Sequence, residues 1–263
     1  MNDKLPVAVV MIARNEARRL PRSLGSVSGW VSELMVVTND CADDTAGVAA
    51  SFGAIVSEHP FQNFRDQKAF ALSLATQPWV LSLDADEVVT PALRDEIRDL
   101  IVSAPDTVSG AWLPRRLWFM GRWVRHGDNY PDRVLRLVRR DRARLADATI
   151  HERLEVTGLT VKCKNDLLHY SNESVARHLE KIGYYNDCFV REAALQGRKV
   201  WSLTVILRSG WRLFRAYFFR LGFLDGFLGL YLAVTSAYAT FSKYTMLIEH
   251  WRVPASAGKK ANQ

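Results

Sequence analysis

Cysteine is scarce: Cys41, Cys163 and Cys188 are the only three in 263 residues. They are odd in number and match no metal-ligand spacing, which argues against a disulfide framework and predicts a reduced, cytosolic setting. The opening residues Met1 to Pro6 lack the charged, apolar and small-residue regions of a secretion signal, so the chain is expected to stay inside the cell. No uncharged run reaches the roughly 20 residues that cross a bilayer; the longest, Gly226 to Ser242, is broken by glycines, serines and threonines. No Gly-x-Gly-x-x-Gly opens the first helix and no Walker lysine loop occurs, so dinucleotide oxidoreductases and P-loop enzymes fit poorly. Acidic residues are thin in the C-terminal part. Residues 1–110 hold 9 Lys/Arg against 15 Asp/Glu, and the remainder 26 against 13. A basic C-terminal region suits anionic lipid, a phosphorylated acceptor or nucleic acid, and charge alone does not choose.

What is present reads as an open, mostly parallel α/β sheet with helices on both faces. Val7 to Ile12 is an apolar run of buried-strand length, followed by the polar turn Arg14-Asn15-Glu16 and a helix from Leu20 to about Val27. Leu34 to Val37 is a second strand, and a polar loop from Thr38 leads into a helix that stops near Gly53. Ala54 to Ser57, the helix Gln67 to Ala75 and the strand Trp79 to Leu83 complete a β-α-β rhythm. In such sheets ligands sit beyond the carboxyl ends of the strands, which gathers Asn15/Glu16, Thr38/Asp40 and Asp84/Asp86 on one rim.

The last of these strands ends in Asp84-Ala85-Asp86-Glu87, three carboxylates within four positions that need a counter-charge. Hard oxygen ligands suit Mg²⁺ or Mn²⁺, with phosphate oxygens and water filling the remaining positions. The competing explanation is an acidic strand end that caps the next helix, where Thr90-Pro91 supplies an N-cap and a first-turn proline.

Taken together, Ala13-Arg14-Asn15-Glu16, Gln67-Lys68-Ala69-Phe70-Ala71-Leu72, Ser82-Leu83-Asp84-Ala85-Asp86-Glu87, Ile150-His151-Glu152 and Leu221-Gly222-Phe223-Leu224-Asp225-Gly226 occur in an order that resembles the family 2 glycosyltransferases of the A-type nucleotide-sugar fold. Within that family the likeness is to bacterial lipopolysaccharide core glycosyltransferases, and it covers nearly the whole chain. The resemblance implies that Ala13, Arg14, Asn15, Glu16, Thr38 and Asp40 belong to the donor site, with Asn15 and Glu16 lining the nucleoside pocket. It implies Lys68 near the donor diphosphate, Asp84 and Asp86 on the ribose and the metal-diphosphate unit, and His169 as a further metal ligand. Glu152, next to His151, would be the catalytic base. The chain departs from the common pattern at Ala13, where threonine is frequent, and at Thr38, where an aspartate usually contacts the base. Glycosyl transfer by single displacement with inversion agrees with these roles, because it needs one acceptor-side carboxylate and a cation on the leaving diphosphate.

From Val108 the pattern changes to a strand, Ala111 to Leu117, and then to an aromatic and arginine-rich hairpin. Sugars stack on aromatics and phosphates pair with arginine, so Trp118, Arg122, Trp123 and Arg125 are read as an acceptor-binding flap. A solvated basic hairpin is the plainer alternative. Arg133 to Arg139 alternates apolar and basic residues as a half-exposed strand does, with a basic face open to acceptor phosphates. Beyond Ser174 the period is helical, and Lys199 to Arg252 interleaves leucines and aromatics with arginines, as an interfacial helix does. A helical pair that buries its own apolar face has the same amphipathicity.

Residues 1–107 are therefore assigned to a donor-binding half, 108–173 to an acceptor-binding and catalytic half of the same domain, 174–253 to a membrane-associating helical region and 254–263 to a disordered tail. The expected activity is metal-dependent, inverting transfer of a hexose, glucose by default, from a nucleotide-diphosphate sugar to a lipopolysaccharide core or other glycolipid acceptor at the inner face of the cytoplasmic membrane. Nucleic acid is not an expected partner, since no RNA- or DNA-binding module is present. Two alternatives are a haloacid-dehalogenase-like phosphatase using Asp84 and Asp86, and a non-enzymatic membrane-surface scaffold.

Overall fold

The computed structural model describes residues 4–146, 154–171 and 174–253. The chain divides into two compact units: Met1–Leu117 with Asp132–Ser171, and Trp118–Pro131 with Asn172–Gln263. The flap, grouped by sequence with the acceptor half of the first domain, thus belongs to the same unit as the C-terminal helices.

In the first unit the elements run β1 (Leu5–Ala13), α1 (Leu20–Gly25), β2 (Val31–Thr38), α2 (Thr45–Ser51), β3 (Ile55–Glu58), α3 (Phe64–Leu74), β4 (Trp79–Asp84), β5 (Glu87–Val89) and α4 (Pro91–Ser103). β6 (Val108–Phe119) follows and runs on into the second unit, where it turns into β7 (Arg122–Trp123). The first unit resumes with β8 (Asp132–Arg139), β9 (Ala143–Leu145), β10 (Leu154–Val156), β11 (Leu159–Lys162) and β12 (Leu167–His169). The main sheet has the order β3-β2-β1-β4-β8-β6-β12-β5. Strands β3, β2, β1 and β4 are parallel, and β8 is antiparallel to both its neighbours.

The pleat of β1 explains how one strand builds two cores, since successive side chains point to opposite faces. Val7, Val9 and Met11 join Leu20 and Leu24 of α1 and Leu93 and Ile97 of α4 on one face. Ala8 and Val10 join Ala71 of α3 on the other. Helices therefore cover both faces, and β1 reads as a continuous apolar run because neither face meets water. Helix α4 starts where Thr90-Pro91 predicts: the Leu93 N–H donates to the Thr90 hydroxyl at 3.2 Å, and proline takes the first helical position, where no N–H is needed.

The second unit contains the hairpin of Trp118, Phe119 and β7, then α5 (Val175–Leu195), α6 (Ser202–Phe214), a π-helical turn Arg215–Phe219, a 3₁₀ turn Gly222–Asp225 and α7 (Phe227–Arg252). Helix α7 buries Leu228, Gly229, Leu232, Ala233, Thr235, Tyr244 and Leu247, so much of the long uncharged run faces its own unit. No helix of the described residues is long and apolar enough to cross a membrane. The Leu221–Gly226 stretch now has a structural account. Leu221 takes a left-handed conformation (φ 55°), and the Gly222 carbonyl lies so close to Gly229 that a Cβ on Gly229 would collide with it. Asp225 accepts from the Arg125 and His126 N–H groups (2.9 Å each) and lies 2.9 Å from His126 Nδ1, tying the flap to the start of α7. Gly229→Ala is expected to cost about 1–3 kcal/mol through forced displacement of packed backbone, read as a lower urea midpoint for loss of helical signal.

Candidate active site

The strand order reverses between β1 and β4, the place where open α/β sheets hold ligands. Register aligns the ends there: Ala13 is opposite Thr38, and Ile12 is opposite Asp84. The loops beyond them are stitched together by side chains. Asn15, at φ 56°, accepts at Oδ1 from the Ala42 N–H (2.7 Å); the Glu16 N–H donates to Thr45 Oγ1 (2.8 Å), and the Ala17 N–H to Asp43 (3.1 Å). Asn15 and Glu16 therefore shape the rim together with the Asp40–Thr45 loop. Burial raises the Glu16 pKa against the opposing pull of Arg19, 2.9 Å away. Thr38 is buried, while Arg14 and Asp40 are exposed on the rim. Beside Thr38, the amide nitrogen of Asn39 is buried without a protein partner among the described residues, an orphaned donor at the strand end.

Asp84 lies in a cluster of cations. Its carboxylate is bonded to Arg136 and is 3.6 Å from Lys68 Nζ. Glu87, fully buried, accepts from Arg136 at 2.6 Å, from Arg115 at 3.2 Å and from the Asp84 N–H at 3.1 Å. Burial alone would raise the Asp84 pKa, but Arg136, then Lys68 and Arg115, overrule it and hold the carboxyl well below the usual carboxylate range. Arg136, buried between two carboxylates, stays protonated: burial works against its charge and both anions work for it. The basic face expected of Arg133–Arg139 is thus engaged inside the unit. Arg133 donates to the Cys163 carbonyl and Arg139 to that of Val108, while Leu135 to Val138 are buried because β8 lies between β4 and β6.

Asp86 has a different partner. Strand β12 pairs antiparallel with β5, setting His169 opposite Glu87, and His169 Nε2 is 3.3 Å from Asp86 Oδ2. The Tyr170 N–H donates to the Asp86 carbonyl at 2.9 Å, which holds the pair in register. Among the described residues no group of three or more His, Cys, Asp or Glu side chains forms a metal cluster. A carboxylate-imidazole pair nonetheless fits a divalent cation that takes its other ligands from a diphosphate and water. Asp84 is already paired with Arg136 and Lys68.

A cavity of about 500 Å³ opens beside this cluster, lined by Lys68, Asp84, Arg115, Asp132 and Arg136 on its polar side and by Trp112, Leu145 and Leu154 among its apolar walls. Its volume is that of a small-molecule site. His151 and Glu152 lie outside the described residues; Leu145 and Leu154, on either side of the segment that carries them, both line the cavity. The proposed acceptor residues belong to the second unit. There Trp118 and Trp123 pack edge to face with ring centroids 4.9 Å apart, Arg122 is exposed, and Arg125 is held through its backbone by Asp225. Arg115, Arg136 and Asn39 are the participants without a role in the sequence reading, and Glu87, there one of three clustered carboxylates, proves to be the arginines' buried counter-charge. The one available signal was a strand with arginines on both of its faces.

The sequence model of glycosyl transferase family 2 matches residues 8–158. An uncharacterized glycosyltransferase of Rickettsia felis is 27% identical over 259 residues, covering 92% of this chain and 89% of its own length. The lipopolysaccharide core biosynthesis glycosyltransferase LpsC of Rhizobium meliloti is 26% identical over 254 residues, covering 92% and 93%. Among solved structures, glucosyl-3-phosphoglycerate synthase from Mycobacterium tuberculosis, in complex with Mn²⁺, UDP and glucosyl-3-phosphoglycerate, is 20% identical over 42% of this chain and 44% of that one, with a TM-score of 0.36, too low to bear on the site. With more than half of its length matched by the family's model, the chain belongs to glycosyl transferase family 2 and is a glycosyltransferase.

Proposed function

We propose that this glycosyltransferase moves a hexose, glucose by default, from a nucleoside-diphosphate sugar to a lipopolysaccharide core or related glycolipid acceptor, with inversion. The observation that carries the reading is the sorting of charge at one strand end: Asp84 held by Lys68 and Arg136, and Asp86 paired with His169 two residues on. Lys68 would face the donor diphosphate. Asp86 and His169 would hold Mg²⁺ or Mn²⁺, and a cation bound there would supply positive charge for the leaving diphosphate. The acceptor hydroxyl attacks the anomeric carbon as the bond to the diphosphate oxygen breaks; its proton passes to Glu152, and the negative charge on the departing diphosphate is met by Lys68.

The lipopolysaccharide acceptor is supported by the likeness to LpsC along 92% of the chain. The flap residues Trp118, Arg122, Trp123 and Arg125 would bind that acceptor, and the C-terminal helical region would rest peripherally on the inner face of the cytoplasmic membrane. The phosphatase and scaffold alternatives fall with the family assignment. The test is a screen of radiolabelled nucleotide sugars with purified core acceptors, with and without Mg²⁺ or Mn²⁺. Metal-dependent transfer of a hexose is expected; transfer that ignores chelation, or only to non-lipid acceptors, would overturn the corresponding part.

Asp86→Ala is expected to weaken Mn²⁺-dependent binding of nucleoside diphosphate at least about tenfold, the lower end of what loss even of an outer-sphere partner costs. Calorimetric titration with and without metal reads this directly. Wild-type binding by the variant would remove Asp86 from the metal site.

A further inference from the structure

Helix α6 is apolar on two opposite sides. Val205, Ser209 and Ala216, near the start of the following turn, are buried against the rest of the second unit. On the other side Leu207, Trp211, Phe214 and Phe218 recur at helical spacing and are 62%, 54%, 46% and 54% exposed, with Phe219 and Phe227 beyond them each 71% exposed. A second apolar side left uncovered by the rest of the unit, with contiguous exposed aromatics on this scale, marks an interaction surface.

The charges beside this face indicate what covers it. Between Ser202 and Phe227 there are four arginines and one acid, Asp225, which is buried. Three of those arginines converge on the flap carboxylate Asp128, whose side chain is 4% exposed: Arg215 Nη2 at 2.8 Å, Arg212 Nε at 3.1 Å and Arg220 Nε at 3.9 Å. One carboxylate cannot neutralise three guanidinium groups, so two positive charges are left over. The three side chains remain 36% to 56% exposed and are held in place before any ligand arrives. Guanidinium groups are the preferred partners of phosphate oxygens. A second copy of the chain is disfavoured on this face, because a twofold contact sets the same patch, and the same cations, against itself.

We propose that the outward face of α6 and residues 215–227 docks on an anionic phospholipid surface, with the aromatics at the level of the headgroups and acyl chains and Arg212, Arg215 and Arg220, fixed by Asp128, on the lipid phosphates. This deepens the peripheral-membrane part of the proposed function and rests on it. Both parts of the face are needed: apolar area alone would bind neutral lipid equally well, and arginines alone would not bury tryptophan.

The experiment is co-sedimentation of the full chain with phosphatidylcholine vesicles, with and without phosphatidylglycerol, at low and high salt. Wild type is expected to bind the anionic vesicles at least about tenfold more tightly, with the difference lost at high salt. Arg220→Gln, the most exposed of the three and the farthest from Asp128, should lose about fivefold on anionic vesicles and little on neutral ones. Trp211→Ser with Phe219→Ser should lose binding to both, with an unchanged thermal midpoint showing that the fold persists. Equal affinity for both vesicles, or no binding to either, overturns the proposal. So does a dimer in sedimentation velocity that the Trp211/Phe219 change dissolves, or binding of inorganic phosphate without binding of vesicles. Transfer to a soluble core fragment is assayed on the same preparations: transfer without vesicle binding sinks the docking face and leaves the proposed reaction standing, and binding without transfer does the reverse.

Discussion

Arg136→Ala is expected to cost about 3–5 kcal/mol of stability, the usual penalty for removing one partner of a buried ion pair. Glu87 is wholly inaccessible and would keep Arg115, at 3.2 Å, as its counter-charge and the Asp84 N–H, at 3.1 Å, as a neutral donor; Asp84 would keep Lys68, at 3.6 Å. The loss comes mainly from buried Glu87 left short of counter-charge, with a smaller part from Asp84, whose side chain reaches solvent. The pH dependence follows from the depressed Asp84 pKa. A carboxyl whose folded value lies below its ordinary 3.8 stabilises fully above that value, and the contribution disappears as pH falls through the lowered folded value. The gap between wild type and variant should therefore stay constant from neutrality down to about pH 5 and narrow only in stronger acid. Urea midpoints across that range measure it. A second variant separates charge from packing: Glu87→Gln combined with Arg136→Met should recover part of the loss, since a filled neutral site is often as stable as the ion pair it replaces. An Arg136→Ala midpoint equal to wild type would mean that Arg115 alone compensates Glu87.

Glu152→Gln is expected to lower turnover by about 10²–10⁴, the usual worth of general-base catalysis, with nucleoside-diphosphate affinity nearly unchanged because the base acts on the acceptor. The competing carboxylates are already committed. Asp132 accepts from Arg115 at 2.9 and 2.6 Å, and Asp128 is held by Arg212 and Arg215 at 3.1 and 2.8 Å. Single-turnover kinetics on Glu152→Gln, Asp128→Asn and Asp132→Asn decide the matter. Near-normal turnover in the first and none in either of the others would move the base to the aspartate concerned.

Much of the first unit was legible because β1, β2 and β4 are buried on both faces and therefore read as uninterrupted apolar runs. The polar residues that end them, Thr38 and Asp84, mark the rim directly. Boundaries were less legible. The first helix stops at Gly25, two residues short of the expected Val27, and β6 runs from Val108 to Phe119, well beyond Ala111–Leu117. The reading of Arg133–Arg139 as half-exposed holds at Arg133, which is exposed, and fails over Leu135–Val138, which are buried with Arg136 turned to the carboxylates.

Local pattern was enough to determine that this chain forms a doubly covered α/β sheet, that an acidic cluster ends its fourth strand, and that its C-terminal third is helical, aromatic and basic. Those properties depend on residues a few positions apart, whose spacing is the period of the element they build. Only the tertiary structure decided that Asp84 belongs to Arg136 and Asp86 to His169, a residue 83 positions downstream. Both pairings come from strands that join the sheet out of chain order, β8 beside β4 and β12 beside β5. Which strand lies next to which is set by the packing and hydrogen bonding of the whole sheet, and a period-2 pattern carries no record of the neighbour.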